Sequence, residues 1–433
     1  MKSTSPSLAL AIDLGTTSIC GVALDTENGK VLRSITKNSN AFITDCAPFE
    51  RIQSVDKIIR LAFEILDELM TEGVCAIGVT GQMHGILYLD KDGNAVSPLY
   101  TWQDGRGNLP YKDTTYAAHL GASTGYGNVT DFYNRENSIR PENAVRYCTI
   151  HDYLVMKLCN LSEPLIHASD AASFGCFDLV ENRFVGYDCD VKVTADTAIA
   201  GEYKGIPVSV AIGDNQASVL SCISEGDVLL NVGTGSQVSV ITDKIVKGTD
   251  IETRPFFEGK YLTVGAALCG GRAYSILKDF YASVLGYRES LDESEVYKIM
   301  DEMLKDKSSA PLVADTRFAG TRADSTITGS ITGITDTNFT PGNLTHAILS
   351  GMTEELYGMY CGMKDEKCGL VGSGNGIRRN AALVDISEKR FGLKMRIPAH
   401  TEEASVGAAL FALVACGRFS SIKEAQSLIK YID

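Results

Sequence analysis

One short pattern occurs twice in the chain, and the repetition constrains the fold more than any other feature. In Ala11-Ile12-Asp13-Leu14-Gly15-Thr16-Thr17-Ser18 an apolar run ends in a carboxylate and then in a small, hydroxyl-rich turn. Leu8 to Ile12 reads as a buried strand and Ile19 to Leu24 as a strand returning from the turn, which predicts a hairpin. Gly15 permits a tight turn, while Thr16, Thr17 and Ser18 offer hydroxyls and peptide N–H groups suited to a phosphate. Asp13 would be repelled by a polyphosphate unless a divalent cation lay between them, so Mg²⁺ is expected with Asp13 as a ligand. Asn231-Val232-Gly233-Thr234-Gly235-Ser236 repeats the arrangement, after the apolar run Val228 to Leu230 and before a strand from Gln237 to Thr242. A Gly-Thr-Thr turn alone is ordinary; two copies far apart predict two like domains.

At 433 residues the chain is long enough for two domains that each bury a core, and 44% apolar with 22% charged residues marks it as globular. A net charge of -14 with no basic cluster argues against a nucleic-acid partner. An anionic nucleotide would then be held locally, by backbone N–H groups, a metal and a few placed arginines. The twelve cysteines show no C-x-x-C pair and no Cys/His spacing suited to zinc, so they read as small buried hydrophobes in a reducing compartment. The first residues lack a long apolar region, and the longest apolar run, Val406 to Cys416, is too short to span a bilayer. A cytoplasmic protein with no membrane partner is expected.

Along the chain, Asn28-Gly29 marks a turn and Val31 to Ile35 a further strand. Val55 to Met70 has apolar residues at 55, 58, 59, 62, 65, 66 and 69, one face of a helix, and Val74 to Thr80 reads as a strand, together an α/β domain. That strand ends in Gly81-Gln82-Met83-His84-Gly85, where open α/β sheets bind ligands, although His84 also reads as a hydrogen-bonded loop histidine. Tyr100-Thr101-Trp102-Gln103-Asp104-Gly105-Arg106 sets the only tryptophan beside a carboxylate and a guanidinium. The group suits a polyol, whose C–H faces stack on indole and whose hydroxyls bridge Asp104 and Arg106; it equally suits an Asp-Gly turn with a structural ion pair. The stretch from Pro141 to Leu158 is expected to contain a helix, with Ala144, Val145, Tyr147 and Cys148 and then Tyr153, Leu154 and Met156 on its apolar side. Val208 to Ile212 reads as a strand that ends in Gly213-Asp214-Asn215-Gln216 before a helix from Ala217 to Cys222, and an aspartate there can serve as a helix cap.

The paired hairpins resemble the actin-like, ribonuclease-H-like ATPase plan. Asp13 to Ser18, Gly81 to Gly85 and Trp102 to Arg106, in that order, resemble the FGGY family of carbohydrate kinases, and Trp-Gln-Asp-Gly-Arg is most similar to its sedoheptulokinase branch. The resemblance runs from the first hairpin to near the C-terminus. It implies an α/β fold of two actin-like ATPase domains flanking a catalytic cleft, with a sugar-binding domain over 1–220 and a nucleotide-binding domain over 221–433. Asp214 becomes the catalytic base and, with Asp13, a Mg²⁺ ligand. Gln82, Met83, His84, Trp102, Asp104, Arg106, Asp214 and Asn215 are expected around the sugar, with Asp170 and Ser173 facing the same pocket. Gly15, Thr16, Thr17 and Ser18, and Gly233, Thr234 and Gly235, would hold phosphates of ATP.

Further on, Tyr261 to Leu268 predicts a strand and Ala273 to Val284 a helix, and Gly270 and Gly271 between them would admit the nucleotide. Residues 289–308 read as an acidic, solvated helix. Arg317 to Arg322 falls where many members have Phe-x-Gly-Glu-Arg, with Thr321 in place of the glutamate. Leu344 to Met363 reads as a structural helix. Leu370 to Asn380 resembles the adenosine-binding motif, with Gly374, Asn375 and Arg378 at the nucleoside and Ser373 where many members have glycine. Glu402 to Leu410 reads as a small-residue helix beneath that motif. The implied reaction is transfer of the γ-phosphate of ATP to the primary hydroxyl of a ketose, sedoheptulose foremost. The alternatives are a xylulokinase or other pentulose kinase, and a non-catalytic regulator that binds sugar and ATP; a monomer or homodimer is expected. No Walker A pattern is present, which sets aside the P-loop fold.

Overall fold

The computed structural model describes residues 7–286, 292–306, 311–321, 324 and 326–432. The chain forms two compact units, the first running through Cys222 and also taking in Arg254–Lys260 and His400–Lys430. A single cut at 220/221 therefore does not describe the division. Among the described residues no helix is long and apolar enough to cross a membrane.

The first unit opens with β1 (Leu8–Leu14), β2 (Ser18–Asp25) and β3 (Val31–Asn38), an antiparallel meander. Helix α1 (Val55–Leu69) starts at Ser54, whose side chain accepts from the Lys57 N–H, and it buries Val55, Ile58, Ala62, Ile65, Leu66 and Leu69, the face its periodicity predicts. Strand β4 (Val74–Gly81) lies parallel to β1 on the side away from β2. The helix expected within 141–158 leaves out Ala144 to Cys148. Arg146–Cys148 pairs as a strand with Leu87–Leu89, and α2 (Ile150–Cys159) begins only after Thr149, which forms a capping box with Asp152. That reciprocal pair satisfies the first free N–H groups and stops the helix from extending backwards. Next come α3 (Ala168–Ser173), β5 (Ile206–Ser209) and β6 (Ile212–Gly213). Both short strands run parallel to β4, so the expected single strand over 208–212 is broken. Helix α4 (Asp214–Cys222) begins at Asp214 itself, three residues earlier than the sequence suggests.

The second unit repeats the plan. Strands β7 (Asp227–Val232), β8 (Ser236–Thr242) and β9 (Tyr261–Ala267) form the antiparallel meander, followed by α5 (Gly270–Leu285). The acidic segment contains a helix over Glu293–Met303 that buries Val296 and Met300, so it is amphipathic rather than solvated all round. Residues 289–291 and 307–308 of that expectation, and Arg322, lie outside the described residues. After α6 (Pro341–Gly362), β10 (Gly369–Ser373) pairs parallel with β7. Helices α7 (Gly374–Arg379) and α8 (Ala381–Phe391) follow, then β11 (Met395–Pro398) parallel to β10. The sheet orders correspond strand for strand: β3-β2-β1-β4-β5 in the first unit, β9-β8-β7-β10-β11 in the second.

The chain then returns to the first unit as α9 (Glu403–Ala415), which packs on β1, β4 and α4 with Ser405 to Leu413 buried. A Cβ at Gly78 of β4 would lie 2.1 Å from the Ala408 carbonyl oxygen, and one at Gly407 only 1.8 Å from that of Ala217. Backbone therefore meets backbone here, which only glycine permits. The small-residue helix, expected as a support of the adenosine motif, is thus a core element of the first unit, whereas that motif belongs to the second.

Candidate active site

Three parallel-neighbour strands of the first unit end side by side. Gly81 of β4 is in register with Leu14 of β1 on one side and Gly213 of β6 on the other, so Asp13 and Asp214 flank the end of β4. The geometry is held by the Thr80 hydroxyl, which donates to the Ile212 carbonyl at 2.7 Å, and by the Gly213 N–H, which donates to Ser169 Oγ at 3.1 Å. Asp13 Oδ1 is shut off from water and has no hydrogen-bond partner. Burial, with the Asp214 charge adding to it, raises the Asp13 carboxyl to about 7; burial raises Asp214 to about 6, while His151 opposes both shifts. Two carboxylates so placed, one with an unsatisfied hard oxygen, suit a divalent cation, whose charge would bring both back toward the ionised form. Asn215 Oδ1 accepts from Arg254 Nη1 at 3.0 Å, and Gln216 Nε2 donates to the Pro255 carbonyl at 3.2 Å. Arg254 lies some distance along the chain in a segment with no motif, so nothing in the sequence pointed to it.

The first hairpin tip is tied to the sugar-directed motifs. The Trp102 indole N–H donates to Thr16 Oγ1 at 3.0 Å, and that hydroxyl donates to Gln82 Oε1 at 3.4 Å. Gln82 Nε2 in turn reaches Gln53 Oε1 at 2.9 Å, and Gln53 Nε2 closes the ring on the Thr16 carbonyl at 2.6 Å. Gln82 and Gln53 are buried and Trp102 is 46% exposed, so the amides brace the tip while the indole face is open. Gln53, in a mixed polar stretch ahead of α1, carried no sequence signal. Thr17 is exposed at the tip, with Gly15 and Ser18 half-buried beside it.

His84 has φ of 72°, an uncommon backbone conformation for a non-glycine residue. Its N–H donates to Ser173 Oγ at 3.0 Å, its Nδ1 lies 2.9 Å from the Ser173 carbonyl, and its ring stacks on Tyr126 with centroids 4.4 Å apart. A carbonyl only accepts, so Nδ1 carries a proton and donates to it. Ser173 therefore positions His84. Met83 is buried, its Sδ 2.7 Å from where a Cβ on Gly213 would lie. Asp104 and Arg106 are fully buried and largely saturate each other: Arg106 Nε donates to Asp104 Oδ1 at 2.6 Å and Nη2 to Oδ2 at 3.1 Å. Arg106 also bonds Asn134 and Glu50 and lies 4.3 Å from the Tyr100 ring centroid. The structural ion pair, open beside the polyol role from sequence, is what the geometry displays. Asp170 is likewise fully buried and paired with His151.

In the second unit, Asn231 stands where Asp13 stands in the first, and its Nδ2 donates to Ser373 Oγ at 2.7 Å. The hydroxyl of Ser373 thus ties the ends of β7 and β10 together. At the tip, Gly233 and Thr234 are exposed. The N–H groups of Gly271 and Arg272 donate to the Gly233 and Thr234 carbonyls at 3.0 and 2.9 Å. A Cβ on Gly270 would lie 2.4 Å from Gly235, and one on Gly271 2.3 Å from the Gly233 oxygen. The room those glycines leave is filled by the hairpin. Beside it opens a cavity of about 770 Å³, lined among others by Gly233, Thr234, Tyr274, Asn375, Arg379 and Asn380. Gly374 and Gly271 also line it, whereas Gly270 and Arg378 do not; the next residue, Arg379, takes the expected place of Arg378. Tyr274, stacked with Tyr297 at 5.8 Å, and Asn380, which caps α8, were not singled out from sequence.

Two units on one hairpin-led sheet plan, one ending in paired carboxylates and the other beside a ligand-sized cavity, define an actin-like phosphotransferase. Residues 8–113 match the N-terminal domain of the FGGY family of carbohydrate kinases. The chain is 30% identical to sedoheptulokinase of Mus musculus, over 94% of this chain and 97% of that one, and 23% identical to a xylulose kinase of Staphylococcus epidermidis, over 98% and 91%. The fold is similar to the crystal structure of xylulose kinase from Rhodospirillum rubrum, with a TM-score of 0.83 at 19% identity, covering 98% of this chain and 93% of that one. The chain belongs to the FGGY family of carbohydrate kinases, and it is a sugar kinase that uses ATP.

Proposed function

We propose that the protein transfers the γ-phosphate of ATP to the terminal primary hydroxyl of sedoheptulose, forming sedoheptulose 7-phosphate in the cytoplasm. The observation that carries the substrate is the 30% identity with sedoheptulokinase along 94% of the chain, against 23% with a xylulose kinase. The Trp102-Gln103-Asp104-Gly105-Arg106 loop supports the same reading. Asp214 takes the proton of the attacking hydroxyl, and its place beside Asp13 at neighbouring strand ends supports that role. Asp13 and Asp214 would hold Mg²⁺, which when bound neutralises charge on the phosphates.

The other residues bind and orient. The Trp102 indole, fixed through its N–H, offers its face to the sugar C–H bonds. His84 orients a sugar hydroxyl by a hydrogen bond at Nε2, Asn215 sits beside the base, and Gln82 holds Thr16. Asp104 and Arg106 support the tryptophan loop from within, and Met83 packs behind Gly213. Gly15, Thr16, Thr17 and Ser18 on one hairpin and Gly233, Thr234 and Gly235 on the other hold phosphates, while Gly374, Asn375 and Arg379 border the nucleoside.

The test is ADP release with Mg-ATP against sedoheptulose, D-xylulose, L-xylulose, D-ribulose, glycerol and no sugar. Preference for sedoheptulose by kcat/KM is expected, with turnover lowered at least ~10²-fold in Asp214→Asn while sugar binding survives. A pentulose preference would replace the substrate, and turnover without any dependence on sugar would overturn the reading.

A further inference from the structure

Beneath the end of β4 lies a buried charge cluster that the transfer chemistry does not use. His151, on α2, is fully buried, and its Nδ1 sits 2.9 Å from where a Cβ on Gly81 would be. Gly81 is the residue whose two register partners precede or follow the positions of the paired carboxylates, so the imidazole lies against the strand end that separates them. Its Nε2 is 3.0 Å from Asp170 Oδ1 on α3, at ion-pair distance between two fully buried side chains.

The groups that act on the ring are Asp152 from its own helix, Asp170 from α3 and Asp214 from the start of α4, and its charge is felt at Asp13 on β1. All are carboxylates. Arg254, the nearby cation, acts on Asp214. Neither ring nitrogen has an aligned hydrogen-bond partner, Asp152 Oδ1 and both Asp170 oxygens are equally without one, and no donor faces an imidazole lone pair. A neutral ring has a single N–H and can serve only one of these carboxylates, whereas a second ring proton makes the ring attractive to all of them at once.

We propose that His151 is a positioning residue of the sugar kinase, an imidazolium locked to Asp170 that holds the strand ends carrying Asp13 and Asp214 in their working arrangement. The inference rests on Asp214 being the base. Burial alone would lower the His151 pKa, but Asp170, then Asp152 and Asp214, outweigh it and push it up to about 9. The ring fills the space that Gly81 leaves empty, which explains why this strand end carries no side chain.

Wild-type enzyme and Asp214→Asn, assayed with sedoheptulose and the pentuloses, first establish whether sugar-dependent ADP release exists and needs the base; failure there overturns the functional reading and this inference with it, whereas the outcomes below overturn this inference alone. His151→Gln is then expected to lower kcat on the order of 10²-fold, because strand-end misplacement acts on the transition state. Sugar KM should stay within about threefold, and His151→Lys, which restores a cation, should recover at least about tenfold. Nitrogen-15 histidine spectra of wild type at pH 7.5, with the His151 signal assigned by its loss in His151→Lys, should show both ring nitrogens protonated, a readout that stands even if His151→Gln does not fold. The proposal is overturned by a neutral ring in that spectrum, by normal kcat in His151→Gln, or by equal loss in the Gln and Lys variants with unchanged melting. Equimolar metal in the purified protein that His151→Lys abolishes would also overturn it, since the donor atoms of His151, Asp152 and Asp170 lie within 4.8 Å of one another.

Discussion

Among the described residues Arg106 has the largest side chain of those fully buried, and its partners Asp104 and Glu50 would be left with uncompensated charge if it were removed. Breaking such a pair costs about 3–5 kcal/mol, so Arg106→Met should lower unfolding free energy by that order in denaturant titration. A sugar contact would instead show as raised KM with unchanged stability. Trp102 predicts the opposite pattern. Trp102→Ala should chiefly raise the sugar KM, while Trp102→Phe, which keeps an aromatic face but lacks the N–H to Thr16, should fall between it and wild type in steady-state kinetics. At this scale the sequence identified which residue types gather near the chemistry. It left the polyol role and the ion pair of Asp104 and Arg106 equally open, because burial distinguishes them and burial depends on Asn134 and Glu50, both remote in sequence.

At the scale of elements, periodicity and caps located the long pieces well: α1 and β1 to β4 fall within two or three residues of their predicted bounds, since each has a strong apolar pattern. The stretch from Pro141 to Leu158 does contain a helix, but Ala144 to Cys148 stand outside it, because their apolar residues suit a strand as readily as a helix turn and the Thr149 capping box decides between them. The contact of α9 with α4 is the tightest consequence of small residues. Gly407→Ala would drive a methyl group into the Ala217 carbonyl on the helix that begins with Asp214. A loss of about 1–3 kcal/mol is expected in a thermal or urea transition, with kcat reduced along with stability. Unchanged melting would show that α9 can draw back without cost.

For the whole molecule, the buried cluster predicts how stability responds to pH. A histidine whose folded pKa is raised holds its proton more tightly folded than unfolded. The stabilisation from His151 is therefore complete below about 6.5 and is lost as pH rises through about 9. Asp13, Asp152 and Asp214, raised by burial to about 7, 7 and 6, act in the same sense at lower pH, and their effect is spent by about 7. The urea midpoint should thus fall between pH 7 and about 9, and the fall should flatten in His151→Lys, whose amine stays charged across that window. A midpoint that is level over this range in wild type would contradict the charged ring.

The sequence by itself determined the hairpin repeat, the α/β alternation and the strand ends at which Asp13, Gln82, His84 and Asp214 stand, because local pattern and strand-end chemistry are written in consecutive residues. Tertiary structure alone decided that α9 belongs to the first unit, that Gln53 and Arg254 join the candidate site, that Arg379 rather than Arg378 borders the cavity, and that His151 lies under Gly81. Each of these depends on contacts between residues far apart in the chain or on which side of a helix faces inward, and close packing fixes both only once the chain has folded.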